Sequence, residues 1–121
     1  MIKILIVNDV GIVNKIIKNK LEAEGGFSVD TALTGREGVT RAQENTYNII
    51  LLDYHLPDIN GDDVCAAIKS GGKNSNVPIC FISSMDKNSM ADVIQKTGAQ
   101  GHLDMTMDIT EMASKIRAIA G

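Results

Sequence analysis

Residues 48–61, NIILLDYHLPDING, decide the fold of this chain. Four apolar residues, at positions 49–52, run without interruption and end at the carboxylate of Asp53. A continuous run of Ile and Leu is typical of a strand that is buried on both faces, as in a parallel sheet. An acid at the end of such a strand would lie at the carboxyl edge of the sheet, where open α/β folds bind their ligands. The stretch therefore predicts a functional site at Asp53.

Strand-like and helix-like segments alternate on both sides of this stretch. The predicted strands are residues 2–7, 27–33, 49–52, 79–82 and 101–104. The first predicted helix, residues 11–24, places five apolar residues on one stripe: Ile12, Val13, Ile16, Ile17 and Leu21. Further helices are expected from the cap at Thr34 to about residue 45, from residue 60 or 61 to the glycines at 71–72, around 90–97, and around 109–119.

Five strands that alternate with five helices predict an α/β fold with helices on both faces of a parallel sheet. Right-handed crossovers restrict the topology, and the flavodoxin-like strand order 2-1-3-4-5 is the common solution at this size. Since no linker or repeat interrupts the pattern, residues 1–121 are expected to form one domain.

Composition excludes several classes of function. A net charge of −3, without a basic cluster, argues against direct nucleic-acid binding, and the apolar runs are too short to cross a membrane. Cys65 and Cys80 lack metal-ligand spacing, and the strand pattern around Cys80 predicts a buried, reduced thiol. A cytoplasmic location is therefore expected.

Polar residues follow three of the predicted strands where each one ends. Asn8 and Asp9 follow the first strand, Asp53 the third, and Ser83 with Ser84 the fourth. Two carboxylates at neighbouring strand ends suit Mg²⁺, which takes one or two carboxylates together with water and phosphate oxygens. An ionised aspartate can attack phosphorus, and a serine hydroxyl with adjacent backbone N–H groups can bind phosphoryl oxygens.

These residues resemble the receiver domain of response regulators in two-component signalling, over the whole chain. The family pattern has an aspartate followed four residues later by proline and eight later by glycine, as in Asp53, Pro57 and Gly61. It also has a hydroxyl residue five positions after the proline that precedes the fourth strand, and Ser83 stands there relative to Pro78.

The resemblance implies a signalling switch that catalyses only its own phosphorylation and dephosphorylation. Asp53 would be the phosphoacceptor, and Asp9, Asp53 and the backbone carbonyl of His55 would bind Mg²⁺. Ser83 would contact the phosphoryl group, and the small side chain of Ser84 would leave room for it. The implied partners are a histidine kinase or phosphotransfer protein and a downstream protein target or missing output domain. A homodimer through the last two helices is a further expectation.

The chain departs from the family pattern at two positions. Asn8 replaces one of the two acids after the first strand, and Met105 stands where the family has a lysine. Phosphorylation of Asp53 is still expected, with weakened or altered coupling to a conformational switch. Lys87 could replace the missing cation, although a solvated lysine is the simpler interpretation. His102, at the usually aromatic switch position, is more simply a partly exposed strand residue.

Two other functions compete with this interpretation. A pseudo-receiver would keep the fold and act as an interaction module without phosphorylation, and Met105 is its main support. A flavin-binding protein of the same topology would need a hydroxyl- and glycine-rich phosphate loop after the first strand. The sequence there is NDVGIVN, which places an acid where the flavin phosphate would lie. The chain could be a stand-alone receiver or a domain of a longer protein.

Overall fold

Strands and helices alternate along the chain in the computed structural model, which describes residues 1–82, 86–104 and 107–120. The strands are β1 (Ile2–Val7), β2 (Phe27–Ala32), β3 (Ile49–Leu52), β4 (Ile79–Ile82) and β5 (Gly101–Leu103). The helices are α1 (Gly11–Glu24), α2 (Gly35–Glu44), α3 (Gly61–Lys69), α4 (Lys87–Thr97) and α5 (Ile109–Ala120). The described elements match the predicted ones, and β2 and β5 each end one residue earlier than expected.

The five strands form one parallel sheet in the order β2-β1-β3-β4-β5. This order confirms the predicted topology. In the register, Val7 of β1 pairs with Leu52 of β3, and Leu52 pairs with Phe81 of β4. The carboxyl ends of these three central strands therefore meet at one edge of the sheet.

The sheet separates two apolar cores, because successive side chains of a strand point to opposite faces. Ile4, Ile6 and Leu51 pack on the first face, in what we call the α1 core, with residues of α1 and α5. Leu5 and Leu52 pack on the other face, in what we call the α3 core, with residues of α3. All four residues of β3 are fully buried, as the apolar run predicts.

Helix α1 does not bury the whole predicted stripe. Ile17 and Leu21 are buried, whereas Ile12 is 70% exposed and Ile16 is 47% exposed. The helix turns Asn14 inward instead, with only 2% of this residue exposed. The prediction of one continuous stripe was therefore wrong: α1 has apolar residues on two faces, and only one of them covers the sheet.

Both cysteines are free and buried. Burial raises the pKa of the Cys65 thiol and raises the pKa of Cys80 to about 11. This confirms the prediction of a buried thiol at Cys80. None of the described helices has the length and apolar character that crossing a bilayer requires.

Candidate functional site

The structure brings Asp9 and Asp53 together at the carboxyl edge of the sheet. The backbone N–H of Asp53 donates to the carbonyl oxygen of Val7 over 2.8 Å, so the β1–β3 pairing extends to the first residue after β3. Asp9 lies two residues beyond Val7, in the loop before α1, and is exposed. Asp53 is only partly exposed. The two acids thus occupy neighbouring strand ends.

The environment of Asp53 makes its negative charge costly. Partial burial raises the pKa of the Asp53 carboxyl above its ordinary value, and the charge of Asp9 raises it further. The backbone N–H of His55 donates to Asp53 Oδ1 over 3.4 Å and lowers the same pKa. The two carboxylates are therefore close enough for the charge of one to affect the other.

Gly61 closes the loop that follows Asp53. Its backbone N–H donates to the carbonyl oxygen of Tyr54 over 2.7 Å. A Cβ atom at position 61 would lie 2.7 Å from both the Asp53 carbonyl oxygen and the Tyr54 Cα atom. Real Cβ atoms do not approach backbone so closely. The glycine eight residues after Asp53 therefore allows α3 to begin directly against the end of β3.

Asp58 connects the same loop to helix α2. Its carboxylate accepts hydrogen bonds from the backbone N–H groups of Gly35, over 2.8 Å, and Arg36, over 2.9 Å. The hydrogen bond from Arg36 is the main reason that the pKa of Asp58 is lowered. Sequence reasoning missed this contact, because capping signals are read from neighbouring residues and Asp58 lies more than twenty positions away.

Two buried asparagines are in contact next to Asp9, and sequence reasoning did not predict that contact. Asn8 and Asn14 are each 2% exposed. Asn14 Nδ2 donates to the carbonyl oxygen of Asn8 over 2.8 Å and to that of Ala32 over 3.4 Å, so it joins the ends of β1 and β2 to α1. Among the described residues, Asn8 Nδ2 and Asn14 Oδ1 have no hydrogen-bond partner.

The donor set at this edge fits Mg²⁺ better than a metal that needs a cage of side chains. Two carboxylates, Asp9 and Asp53, are available, and Mg²⁺ usually binds one or two carboxylates and keeps several waters. Within the described parts of the chain, no group of three or more His, Cys, Asp or Glu side chains could hold a metal ion.

Several predicted positions lie outside the described residues or add little to the site. Ser83, Ser84 and Met105 are not among the described residues, so their predicted roles stay predictions. Lys87 is exposed at the start of α4, in agreement with a solvated lysine. His102 is partly exposed in β5, where it pairs with Phe81, as a strand histidine was expected to be.

Comparison with known proteins points in the same direction as the geometry. A sequence model for the response regulator receiver domain matches residues 4–117. The response regulator ArlR of Staphylococcus saprophyticus is 36% identical over 121 residues, which cover 98% of this chain and 52% of that protein. The phosphate regulon transcriptional regulatory protein PhoB of Rhizobium meliloti is 28% identical over 117 residues, covering 97% of this chain and 51% of that protein.

Solved structures share the fold. The chemotaxis protein CheY4 of Vibrio cholerae has a TM-score of 0.90 at 22% identity, and the match covers 98% of each chain. The receiver domain of the sensor histidine kinase PA1611 of Pseudomonas aeruginosa has a TM-score of 0.88 at 22% identity, covering 98% of this chain and 97% of that one. The latter structure has a magnesium ion coordinated in its active-site cleft.

Proposed function

Because the chain belongs to the response regulator receiver domain family, we propose that it is a phosphoacceptor switch in which Asp53 takes a phosphoryl group. The observation that carries this proposal is the position of Asp53 and Asp9 just after two neighbouring strands: Val7 of β1 pairs with Leu52 of β3, and the Asp53 N–H donates to the Val7 carbonyl oxygen over 2.8 Å. In its ionised form a carboxyl group at this position can act as a nucleophile towards phosphorus.

The proposed step transfers a phosphoryl group from a histidine nitrogen to a carboxylate oxygen of Asp53. A carboxylate oxygen of Asp53 attacks the phosphorus of a phosphohistidine on a histidine kinase or phosphotransfer protein. The new O–P bond forms as the N–P bond breaks, and the imidazole leaves with the electron pair and takes a proton from solvent. Hydrolysis by water returns Asp53 to the carboxylate, with inorganic phosphate as the product.

The groups at the carboxyl edge of the sheet have separate roles in this step. Asp9 and Asp53, with the backbone carbonyl of His55, would hold Mg²⁺, which when bound supplies positive charge beside the phosphoryl oxygens. The His55 backbone N–H, 3.4 Å from Asp53 Oδ1, orients the nucleophile. Gly61 keeps the loop tight against Asp53. Ser83 and Ser84 are proposed to contact and accommodate the phosphoryl group.

Incubation with phosphoramidate and Mg²⁺ tests the proposal without a protein partner. Intact-mass measurement should show that the wild-type chain gains one phosphoryl group and that Asp53→Ala gains none. Asp92→Ala is a suitable control, because Asp92 is an exposed carboxylate of α4. It should be phosphorylated like the wild type. A wild-type chain that gains no Asp53-dependent phosphate would instead support the pseudo-receiver, the alternative function.

An exposed apolar surface next to the acids is a reasonable docking site for the phosphodonor protein. The described large apolar residues with much exposed area, apart from the N-terminal methionine, are Val10, Ile12, Ile16 and Leu33. Leu33 Cδ2 lies 3.5 Å from the position of a Cβ on Gly11, so Leu33 lies beside the start of α1. We name these four residues the α1 patch. A donor that delivers phosphate to Asp53 must cover the adjacent edge, and therefore reaches this patch.

The chain spans about half the length of the curated relatives that it matches, 52% for ArlR and 51% for PhoB. For the output of the switch we propose either a downstream protein target or a separate output domain.

We place the action of the switch in the cytoplasm. Pairing of two copies through α4 and α5 also stays a prediction, which sedimentation with and without phosphorylation would test.

A further inference from the structure

The side-chain amide of Asn8 has a hydrogen-bond donor for which the described structure provides no acceptor. Asn8 is 2% exposed, and its Nδ2 atom lacks a partner among the described residues. Buried donors are nearly always paired, because an unpaired donor loses its bonds to water and gains nothing in return. A buried amide that is unpaired in one state is therefore a candidate for pairing in another.

The sheet register places this amide beside Asp53. Val7 pairs with Leu52, and the Asp53 N–H donates to the Val7 carbonyl, so the next residue of β1 lies alongside Asp53. Strand neighbours lie about 4.8 Å apart. Ile6 and Leu51, two residues before Asn8 and Asp53, both pack in the α1 core. Strand alternation therefore puts Asn8 and Asp53 on the same face of the sheet.

The groups around Asp53 are hydrogen-bond acceptors, and this gives a donor at position 8 a function. Ionised Asp9 and Asp53 are acceptors only, and a phosphoryl group on Asp53 adds further acceptor oxygens. An acid at position 8 would add one more negative charge and no donor. Asn8 adds no charge and carries two N–H donors on Nδ2. The amide thus matches a phosphorylated edge better than the unphosphorylated one.

On the basis of the function proposed above, we propose that the Asn8 amide is a phosphoryl-binding group that donates a hydrogen bond to a phosphoryl oxygen on Asp53. Without phosphorylation Asn8 Nδ2 has no acceptor within residues 1–82, 86–104 and 107–120, and phosphorylation of Asp53 would supply one. Asn14, which donates to the Asn8 carbonyl over 2.8 Å, holds the backbone of Asn8 in place for this contact. The chain thereby gains a neutral donor, whereas a methionine, as at position 105 of the sequence, carries no hydrogen-bond donor on its side chain.

Beryllofluoride, which binds aspartate as a phosphoryl mimic, allows an equilibrium test on the full chain. Calorimetric titration at saturating Mg²⁺ should show binding to the wild type. Affinity should fall by about 10-fold or more in Asn8→Ala and in Asn8→Asp, as expected for the loss of a hydrogen bond to a charged group. Asn19→Ala, at an exposed position of α1, is the control and should bind like the wild type.

A second titration separates a lost donor from a damaged fold. Asn8→Asp has nearly the same shape as the wild type but adds a carboxylate, so Mg²⁺ alone should bind more tightly to it while beryllofluoride binds more weakly. A misfolded variant would lose both. Asn8→Ala should bind Mg²⁺ as the wild type does, and should still unfold cooperatively on heating.

The outcomes distinguish the two proposals. A wild-type chain that takes neither phosphate nor beryllofluoride overturns the phosphoacceptor function itself. If the wild type binds beryllofluoride and Asn8→Ala binds it equally tightly, the phosphoacceptor function stands and the role of Asn8 is wrong. In that case the amide serves only the packing of α1 against the strand ends.

Discussion

Asp53 and Asp58 lie five residues apart in one loop, and their surroundings shift their acidities in opposite directions. Burial raises the pKa of Asp53, whereas hydrogen bonds from backbone N–H groups, first that of Arg36, lower the pKa of Asp58. The folded state therefore disfavours the charge on Asp53 and favours the charge on Asp58. Proton linkage turns this contrast into opposite dependences of stability on pH.

The charge of Asp53 should reduce stability at neutral pH. A carboxyl whose pKa is raised on folding contributes most stability below its ordinary pKa of 3.8, and that contribution is lost as the pH rises through the folded value. Asp53→Asn should therefore unfold at a higher denaturant concentration than the wild type at neutral pH. The difference should shrink below pH 3.8. Urea denaturation at both pH values provides the measurement.

Asp58→Asn is the matched comparison with the opposite sign. Its lowered pKa means that the ionised carboxylate stabilises the folded chain above the ordinary value and that this contribution is lost as the pH falls. The Asn variant should therefore be less stable than the wild type at neutral pH, and the difference should again shrink in acid. Equal neutral-pH stabilities for Asp53→Asn and wild type would contradict the assignment of a costly charge to Asp53.

Individual site residues were predictable only where a strand end marked them. Asp9 and Asp53 follow apolar strands, and that position alone indicates the carboxyl edge of the sheet. Asn14 carries no such mark, because a polar residue in a helix is expected to face water. Its burial follows from its two hydrogen bonds to the ends of β1 and β2, which exist only once three elements have packed together.

At the scale of elements, the contact between β3 and α3 fixes the shape of the loop around Asp53. Gly61 is the first residue of α3, and the absence of a side chain lets its backbone approach Asp53 and Tyr54. Phe81 of β4 also lies close, with its Cε1 atom 3.0 Å from where a Cβ would be. A helix that starts at this point therefore depends on glycine for steric reasons, since φ at Gly61 is not positive.

Gly61→Ala should disturb both the fold and the site. We expect a loss of about 1–3 kcal/mol in the free energy of unfolding, as for other overpacked positions, because backbone cannot move aside as a flexible side chain can. Phosphorylation by phosphoramidate should also slow, since Asp53 is one of the groups displaced. Denaturant unfolding and time-resolved intact-mass measurements would show the two effects.

Gly11→Ala is the corresponding control at the start of α1. The nearest atom to a Cβ there is Leu33 Cδ2 at 3.5 Å, which is an ordinary contact. This variant should be as stable as the wild type and accept phosphate at the same rate. If Gly61→Ala is as stable as Gly11→Ala and accepts phosphate at the same rate, the predicted steric clash at position 61 is wrong.

Element types were predictable along the chain, but the buried face of α1 was not. Hydrophobic periodicity identifies a helix, and α1 has apolar residues at positions that serve two different faces. The choice between the faces depends on the strand ends, where Asn14 makes its hydrogen bonds. That tertiary constraint turns Ile12 and Ile16 outward, although the sequence alone groups them with Ile17 and Leu21.

At the scale of the whole molecule, the described large exposed apolar residues other than Met1 lie at the same end of the sheet as the acids. The α1 patch lies beside the loop that carries Asp9, at the carboxyl edge of the sheet. Exposed apolar residues that cluster near a functional site are typical of a surface that a partner covers. The strand order was predictable because handedness and connection rules leave few alternatives for five strands. The patch was not, because it depends on how α1 is rotated.

Replacing the patch should affect transfer from a protein but not from a small molecule. The variant Ile12→Ser/Ile16→Ser should accept phosphate from phosphoramidate at the wild-type rate. Transfer from an autophosphorylated histidine kinase should slow by about tenfold, the effect of losing one well-buried Ile contact. Each histidine kinase of the source organism, assayed separately by radiolabel transfer, provides the measurement.

Ile17→Ser is the comparison at a buried position of the same helix, where we expect a loss of stability. Ile17 is 8% exposed, so its replacement should lower the free energy of unfolding by about 2–5 kcal/mol. The exposed double variant should change it by less than about 1 kcal/mol. If the double variant accepts phosphate from every kinase at the wild-type rate, the patch is not the docking site for the donor.

The two cysteines lie on opposite sides of the sheet, Cys65 in the α3 core and Cys80 in the α1 core. Both are fully buried and hold their protons more tightly than a free thiol. A thiol reagent can therefore react only when one helical layer or the other opens. Because these are the chain's two cysteines, a single cysteine introduced on its surface could carry a fluorophore or spin label without prior removal of the native pair.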